Sequence, residues 1–204
     1  DSIDSDFAYD GRIIRFIDTA GLRRKAKAEE DLEFYSGMRT ERSIGRADIC
    51  LLVVDAERGM HNQDLRIANK AWDAGCAVIV LVNKWDLIPE KDANTAKRGQ
   101  EQLIEKAPFL EFVPFLYGSA LTGQRVRKVL DMIIQVAEER KRRISTSEVN
   151  QVLEALLERA APPQAAGDEV KLMYATQIES APPTFAIICN RPDDVAESYQ
   201  RYLI

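Results

Sequence analysis

The sequence predicts an α/β fold, a mostly parallel sheet with helices on both faces, followed by a small α+β module. Three patterns carry that reading. Two short, β-branched, almost wholly apolar runs, Ile49 to Val54 and Cys76 to Val82, have the composition of strands covered on both faces. Segments with helical spacing separate them from each other and from the next strand candidate, the order that gives parallel pairing through right-handed crossovers. Past residue 143 the alternation stops, and the order becomes helix, strand, strand, helix.

Taken in order, DFAYDGRIIRFIDTAG alternates about Asp10-Gly11, a dipeptide suited to the positive φ angles of a two-residue hairpin turn, so two antiparallel strands are expected, the second running into Asp18. Residues 29–46 are polar with unevenly spaced Leu32, Phe34, Tyr35, Met38 and Ile44, which suggests a loop and then a helix. After the strand ADICLLVVDA, Gln63 to Ala74 places Leu65, Ala68, Ala71 and Trp72 on one helical face with Ile67 at its edge. CAVIVLVN is the next strand. A helix over 94–107, a strand through Phe112 to Leu116 and a helix over 123–142 complete the first unit, residues 1–143. The cations of EERKRR close that helix where its dipole favours them. Residues 144–204 form the second unit: Ser145-Thr-Ser-Glu148 is a capping box, Val149, Val152, Leu153, Leu156, Leu157 and Ala160 make an apolar stripe, VKLMYATQI and TFAIICN read as strands, and DDVAESYQRYLI as a helix.

The totals exclude several classes. With 204 residues and 46% apolar side chains the chain can bury a core, and no apolar run approaches the roughly 18 residues of a membrane span. The opening Asp-Ser-Ile-Asp is no secretory signal, and without an initiator Met or a capping residue after Ile204 both edges are expected to be cut. Cys50, Cys76 and Cys189 lie far apart in strand-like runs and read as reduced core thiols, which favours the cytoplasm. His61 is the single histidine, read as a loop residue, so a His-based metal site or a Ser-His catalytic pair lacks materials. Residues 145–204 hold four basic against nine acidic side chains, so the whole net charge of -5 falls in the second unit.

In an open parallel sheet, ligands collect at the carboxyl ends of strands. Three unusual loops follow strand candidates. In Asp18-Thr19-Ala20-Gly21, Asp18 can hold magnesium, usually through water, and Gly21 lets a backbone N–H approach a terminal phosphate. In Asn83-Lys84-Trp85-Asp86, the carboxylate is acceptor-only and can take both adjacent donors of guanine, ring N1–H and the exocyclic amine. Adenine would leave it unpaired, a mismatch worth up to about 10⁴-fold in discrimination. Asn83 can fix the base or tie neighbouring loops, and the stem of Lys84 can lie against a ring face. The structural alternative is a polar strand end with Asp86 capping the next helix. In Gly118-Ser119-Ala120, small residues let backbone N–H groups reach a base carbonyl such as guanine O6.

These three motifs resemble the third, fourth and fifth nucleotide-binding motifs of the translation-factor class of P-loop GTPases. DTAGLRRK, the insert through FYSGMRTERSIGRAD, NKWDL and the appended module are together similar to the second GTPase domain and KH-like domain of the Der (EngA) family, bacterial tandem GTPases of large-subunit ribosome assembly, over essentially the whole chain. The resemblance implies GTP/GDP and Mg2+ as ligands, bound by Asp18, Thr19, Ala20, Gly21, Asn83, Lys84, Asp86, Ser119 and Ala120, with Asp18 at the metal. It also implies the large ribosomal subunit as partner, a first GTPase domain as intramolecular partner, and a KH-like fold for the tail.

Two departures shape the expectation. No Gly-Lys-Ser or Gly-Lys-Thr occurs, so the phosphate-gripping loop is absent and this chain as given is expected to bind GTP poorly and not to hydrolyse it. Leu22, directly after Gly21, cannot orient water, which leaves the catalytic group unknown; relatives with an apolar residue there imply a potassium ion. Arg23-Arg24-Lys25-Ala26-Lys27 reads either as a mobile switch touching phosphate or ribosomal RNA or as a solvated basic loop. The acidic tail shows no GxxG loop, so it is expected to mediate contacts rather than grip RNA alone. A non-enzymatic RNA- or protein-binding scaffold that kept the GTPase shape is the competing function.

Overall fold

The computed structural model describes residues 4–17, 42–89, 94–164 and 168–203. The chain divides into two compact units, Asp1–Ala137 and Glu138–Ile204. The first begins with the hairpin β1 (Asp4–Tyr9) and β2 (Arg12–Ile17), paired antiparallel with Tyr9 opposite Arg12. Asp10 and Gly11 both take positive φ, 49° and 69°, the mirror-image turn whose twist matches that of the flanking strands. Where β2 was expected to continue to Asp18, and where the loop and helix of 29–41 would fall, the chain lies outside the described residues. Residues 42–44 are helical, and Ile44 enters the core.

Among the described residues the central sheet has three strands, β3 (Ile49–Asp55), β4 (Ala77–Asn83) and β5 (Phe115–Tyr117), in that order and all parallel. Between β3 and β4 runs α1 (Asn62–Asp73). It starts where the Asp64 carboxylate accepts from the N–H of His61, the residue just before it, at 3.0 Å. It stops at Gly75, whose φ of 77° lets its N–H reach Trp72 O while Cys76 N–H reaches Ala71 O, both at 2.9 Å. Ala68 and Ala71 are fully buried, as the apolar face predicted, and Leu65, Ile67 and Trp72 pack around the same core. The expected covering of β3 on both faces does not hold for Val53, which is 44% exposed among the described residues.

The strand expected through Phe112 is shorter, and begins after Pro114. Pro108 instead opens a 3₁₀ turn, Pro108–Phe112, that drops Leu110 fully into the core and leaves Phe112 71% exposed. Helix α2 (Thr95–Lys106) matches its expected span within a residue. Helix α3 (Val126–Lys141) starts three residues late because Gly123 and Arg125 have φ of 75° and 60°, incompatible with a right-handed helix. Tyr9 donates to Asp131 of α3 at 2.7 Å, and Ile14 packs on the cluster of Ile79, Val129 and Ile133, which seats the hairpin on this helix.

In the second unit, α4 (Thr146–Arg159) opens with the predicted capping box: Ser145 Oγ accepts from Glu148 N at 3.3 Å, and the Glu148 carboxylate accepts from Ser145 N at 3.0 Å. Its stripe buries Leu153 with Leu172, Ala175 and Tyr199, while Val152 turns out to solvent. Strands β6 (Leu172–Ser180) and β7 (Pro183–Cys189) pair antiparallel, and Asn150 of α4 satisfies both backbone groups of Ala175, at 2.8 and 2.9 Å. Buried Gln177 accepts from Ile144 N at 2.7 Å and donates to Arg142 O at 3.2 Å, fastening the segment before α4 to β6. The final helix, α5 (Glu197–Leu203), is shorter than the expected 193–204, because Pro192 starts a separate 3₁₀ turn that the Arg191–Asp194 ion pair closes at 3.0 Å and Val195 leaves as extended chain.

Candidate functional site

Parallel pairing sets Asp55 of β3 level with Asn83 of β4, and β5 ends beside them, so the loops after three strands meet at one end of the sheet. Lys84 reverses the chain in the left-handed region at φ 62°, and a 3₁₀ turn, Trp85–Leu87, follows. That conformation costs a non-glycine residue roughly 1 kcal/mol or more, so neighbouring bonds must hold it. Trp85 N–H donates to Gly118 O at 3.0 Å, and its ring lies 4.7 Å from that of Tyr117. The Tyr117 hydroxyl in turn donates to Ala96 O at 2.8 Å, fixing the start of α2, and burial pushes this phenol above its ordinary pKa.

Asn83 Oδ1 accepts from Ala120 N at 2.9 Å, so of the two roles considered for Asn83 the described geometry contains the loop tie. Ser119 is buried; its N–H donates to Gln124 O at 3.1 Å, and its hydroxyl oxygen accepts from Thr122 N at 3.2 Å. Gly118 is required by space, since a Cβ there would stand 2.7 Å from the backbone oxygen of Gln124. The loop that follows β5 is therefore rigidly built, with Arg125 Nη1 returning to Tyr117 O at 3.0 Å.

Asp86 is the exception to this satisfaction. Its Oδ1 is buried with no hydrogen-bond partner among the described residues. An unpaired buried carboxylate oxygen is costly, and the few that native proteins keep point to a ligand or a mechanism. Such an atom fits a group with donors to spare, as a guanine edge has.

Asp55 was missed by the sequence reading. Its Oδ2 accepts from Lys84 Nζ at 2.7 Å, and its Oδ1 accepts from Glu57 N at 2.9 Å and Arg58 N at 3.4 Å. The Lys84 ammonium, and after it these backbone donors, hold the Asp55 carboxyl below the ordinary carboxylate range against the opposing effect of burial. The available signal was an acid closing the apolar run ICLLVVD at the same strand end as Asn83. Asp18, Thr19, Ala20 and Gly21, together with Leu22 and the basic run Arg23 to Lys27, lie outside the described residues. Among the described residues no cluster of three His, Cys, Asp or Glu could hold a metal. Cys50, Cys76 and Cys189 form no disulfide among the described residues, and burial raises Cys50 to about 11, in keeping with unreactive core cysteines.

Comparison with known proteins bears on both units. Residues 2–139 match the elongation factor Tu GTP binding domain, and residues 143–204 match the KH-domain-like C-terminal region of EngA bacterial GTPase enzymes. GTPase Der of Gemmatimonas aurantiaca is 51% identical over 203 residues, covering 100% of this chain and 47% of the relative. GTPase Der of Caldanaerobacter subterraneus subsp. tengcongensis is 46% identical over the same length, covering 46% of that protein. The chain thus spans about half the length of the curated relatives it matches. Among solved structures, Era in complex with MgGDPNP and nucleotides 1506–1542 of 16S ribosomal RNA superposes with a TM-score of 0.55 at 23% identity, over 66% of this chain and 44% of that one. Elongation factor SelB from Methanococcus maripaludis, with a GTP analogue, gives 0.51 at 20%, over 68% and 28%. These two likenesses show the fold. With an elongation-factor-type GTP-binding domain followed by the EngA type of KH-like region, the chain belongs to the GTPase Der (EngA) family.

Proposed function

We propose that this chain carries the guanine-reading half of a GTP-binding and GTP-hydrolysing switch that acts in assembly of the large ribosomal subunit. The observation that carries the reading is the buried, unpartnered Oδ1 of Asp86. In this role Asp86 accepts the two neighbouring donors of the guanine edge, and the aliphatic stem of Lys84 lies along a ring face. A base carbonyl approaching Ala120 N shares or displaces Asn83 Oδ1, its partner here. Residues 1–143 form the nucleotide-binding domain, and 144–204 the KH-like domain. Asp18 to Gly21 serve magnesium and the terminal phosphate, and a potassium ion substitutes for the water-orienting group that Leu22 lacks. The partners are ribosomal RNA and proteins, with a further GTPase domain in the whole protein, in the cytoplasm. No described helix is long and apolar enough to cross a membrane.

Asp86 also separates this reading from a scaffold with a lost ligand, which has no reason to keep a carboxylate oxygen buried and unpaired. The test is Asp86→Asn in the full-length protein, read by calorimetry with GDP and xanthosine diphosphate. Xanthine carries a carbonyl where guanine has its amine, so the variant should lose affinity for GDP and gain it for the xanthine nucleotide. Unchanged preference for GDP would remove the base-reading role.

A further inference from the structure

We propose that Asp55 is a positioning residue for guanine-nucleotide affinity, acting through Lys84 rather than touching the nucleotide. This rests on the base-reading role assigned above. A lysine stem helps a ring only if its four rotatable carbons are already held along it, and a free ammonium with one exposed side gives up that order to solvent. Lys84 has a half-exposed side chain, 51% accessible, on a backbone in the left-handed region. What it meets is Asp55, whose own side chain is only 13% accessible, through a 2.7 Å bond from Nζ to Oδ2.

The carboxylate is fixed from behind. Its other oxygen accepts from Glu57 N and Arg58 N, and Gly59 N–H donates to the Asp55 backbone carbonyl at 2.8 Å, where Gly59 adopts φ 69°. Ala56 N–H meanwhile donates to Asn83 O at 2.9 Å, so the turn that orients Asp55 is stitched to the residue just before Lys84. An exposed ion pair between two floppy side chains is worth little. Here one partner is locked by backbone donors before the other arrives, so the order imposed on Lys84 is available to a ligand. The consequence is that affinity passes through a residue at the end of the neighbouring strand, with no contact of its own to the ligand.

A double-mutant cycle in the full-length protein tests this, with GDP affinity measured by calorimetry for wild type, Asp55→Asn, Lys84→Ala and the double variant. Asp55→Asn keeps an oxygen for Glu57 N and Arg58 N and removes the charge that holds Lys84, so the turn survives. The expected result is a loss of about 5-fold for Asp55→Asn, and less than 2-fold further loss when it is added to Lys84→Ala. Steady-state turnover should show the same change in KM for GTP, with kcat retained. Equal losses in both backgrounds, or no loss from Asp55→Asn alone, would overturn the inference. Asp86→Asn in the same series separates the two readings: if it fails to switch preference to the xanthine nucleotide the base site itself is wrong, whereas an intact switch with additive Asp55 and Lys84 effects removes only the role of Asp55.

Discussion

The side-chain oxygen of Asn83 and the backbone N–H of Ala120 are 2.9 Å apart, a single bond that joins the loop after β4 to the loop after β5. Thirty-seven residues of chain separate the two, so the bond is tertiary and its loss is felt by both loops. Asn83→Ala should lower stability by about 0.5–1.5 kcal/mol, the net worth of an exposed hydrogen bond, and lower guanine-nucleotide affinity as well. Asn83→Asp retains the acceptor and should recover most of the stability. Urea titration of the three proteins checks this, and equal midpoints would show that the bond carries no weight.

Asp86 predicts the opposite balance between stability and function. Removing a buried oxygen that has no partner relieves a cost, so Asp86→Ala should leave the thermal midpoint of the nucleotide-free protein unchanged or raised. Guanine-nucleotide affinity should fall by about 10- to 100-fold or more, since hydrogen bonds to a charged acceptor are worth roughly 1.5–3 kcal/mol each. A midpoint that drops as a core mutation's does would assign Asp86 to the fold instead.

Gly118→Ala tests the shape of the loop after β5. The added methyl meets the backbone oxygen of Gln124, which cannot swing aside as a side-chain tip can. About 1–3 kcal/mol of destabilisation is expected, together with loss of protection from amide exchange at Ser119, whose N–H depends on that same oxygen. Gly99→Ala, with open space around its Cβ position, is the control and should be neutral or mildly stabilising.

Acid should weaken both units. Asp55, through Lys84, and Glu148, through Ser145, have carboxyl groups held below their ordinary range in the folded chain. The unfolded chain therefore binds more protons in that window, and stability rises with pH across it. The contribution is complete above the ordinary values of 3.8 and 4.5 and disappears as pH falls through the lowered folded ones. Urea midpoints measured from about pH 6 down to about pH 2.5 should fall less steeply in Asp55→Asn and in Glu148→Gln than in the wild type. Parallel curves would contradict the assignment.

Most of the fold was legible because its signals are local. Asp10-Gly11 needs only its own two φ angles, Ser145 and Glu148 reach each other across one helical turn, and the apolar runs of β3 and β4 advertise burial. Boundaries failed where a backbone restriction overruled an apolar run: Pro114 delays β5, Arg125 delays α3, and Pro192 splits the last helix. At the site, Asn83 and Asp86 stood out by residue type and by placement after β4. Asp55 did not, since an acid ending a strand is common and only the parallel register shows it level with Asn83 and in reach of Lys84. The burial of Asp86 Oδ1 is likewise a tertiary property, and no window of sequence contains it.

The junction between α1 and β4 acts as a ruler for everything downstream. Cys76 gives its N–H to Ala71 and its thiol to Ile44 and Ala47, so the first residue ahead of β4 is pinned on three sides. With side chains alternating along the strand, one residue inserted or deleted between Cys76 and Asn83 would swap every inward and outward position and deliver Asn83 and Lys84 to the wrong sides. Evolution and engineers alike can vary the composition of this segment, but not its length.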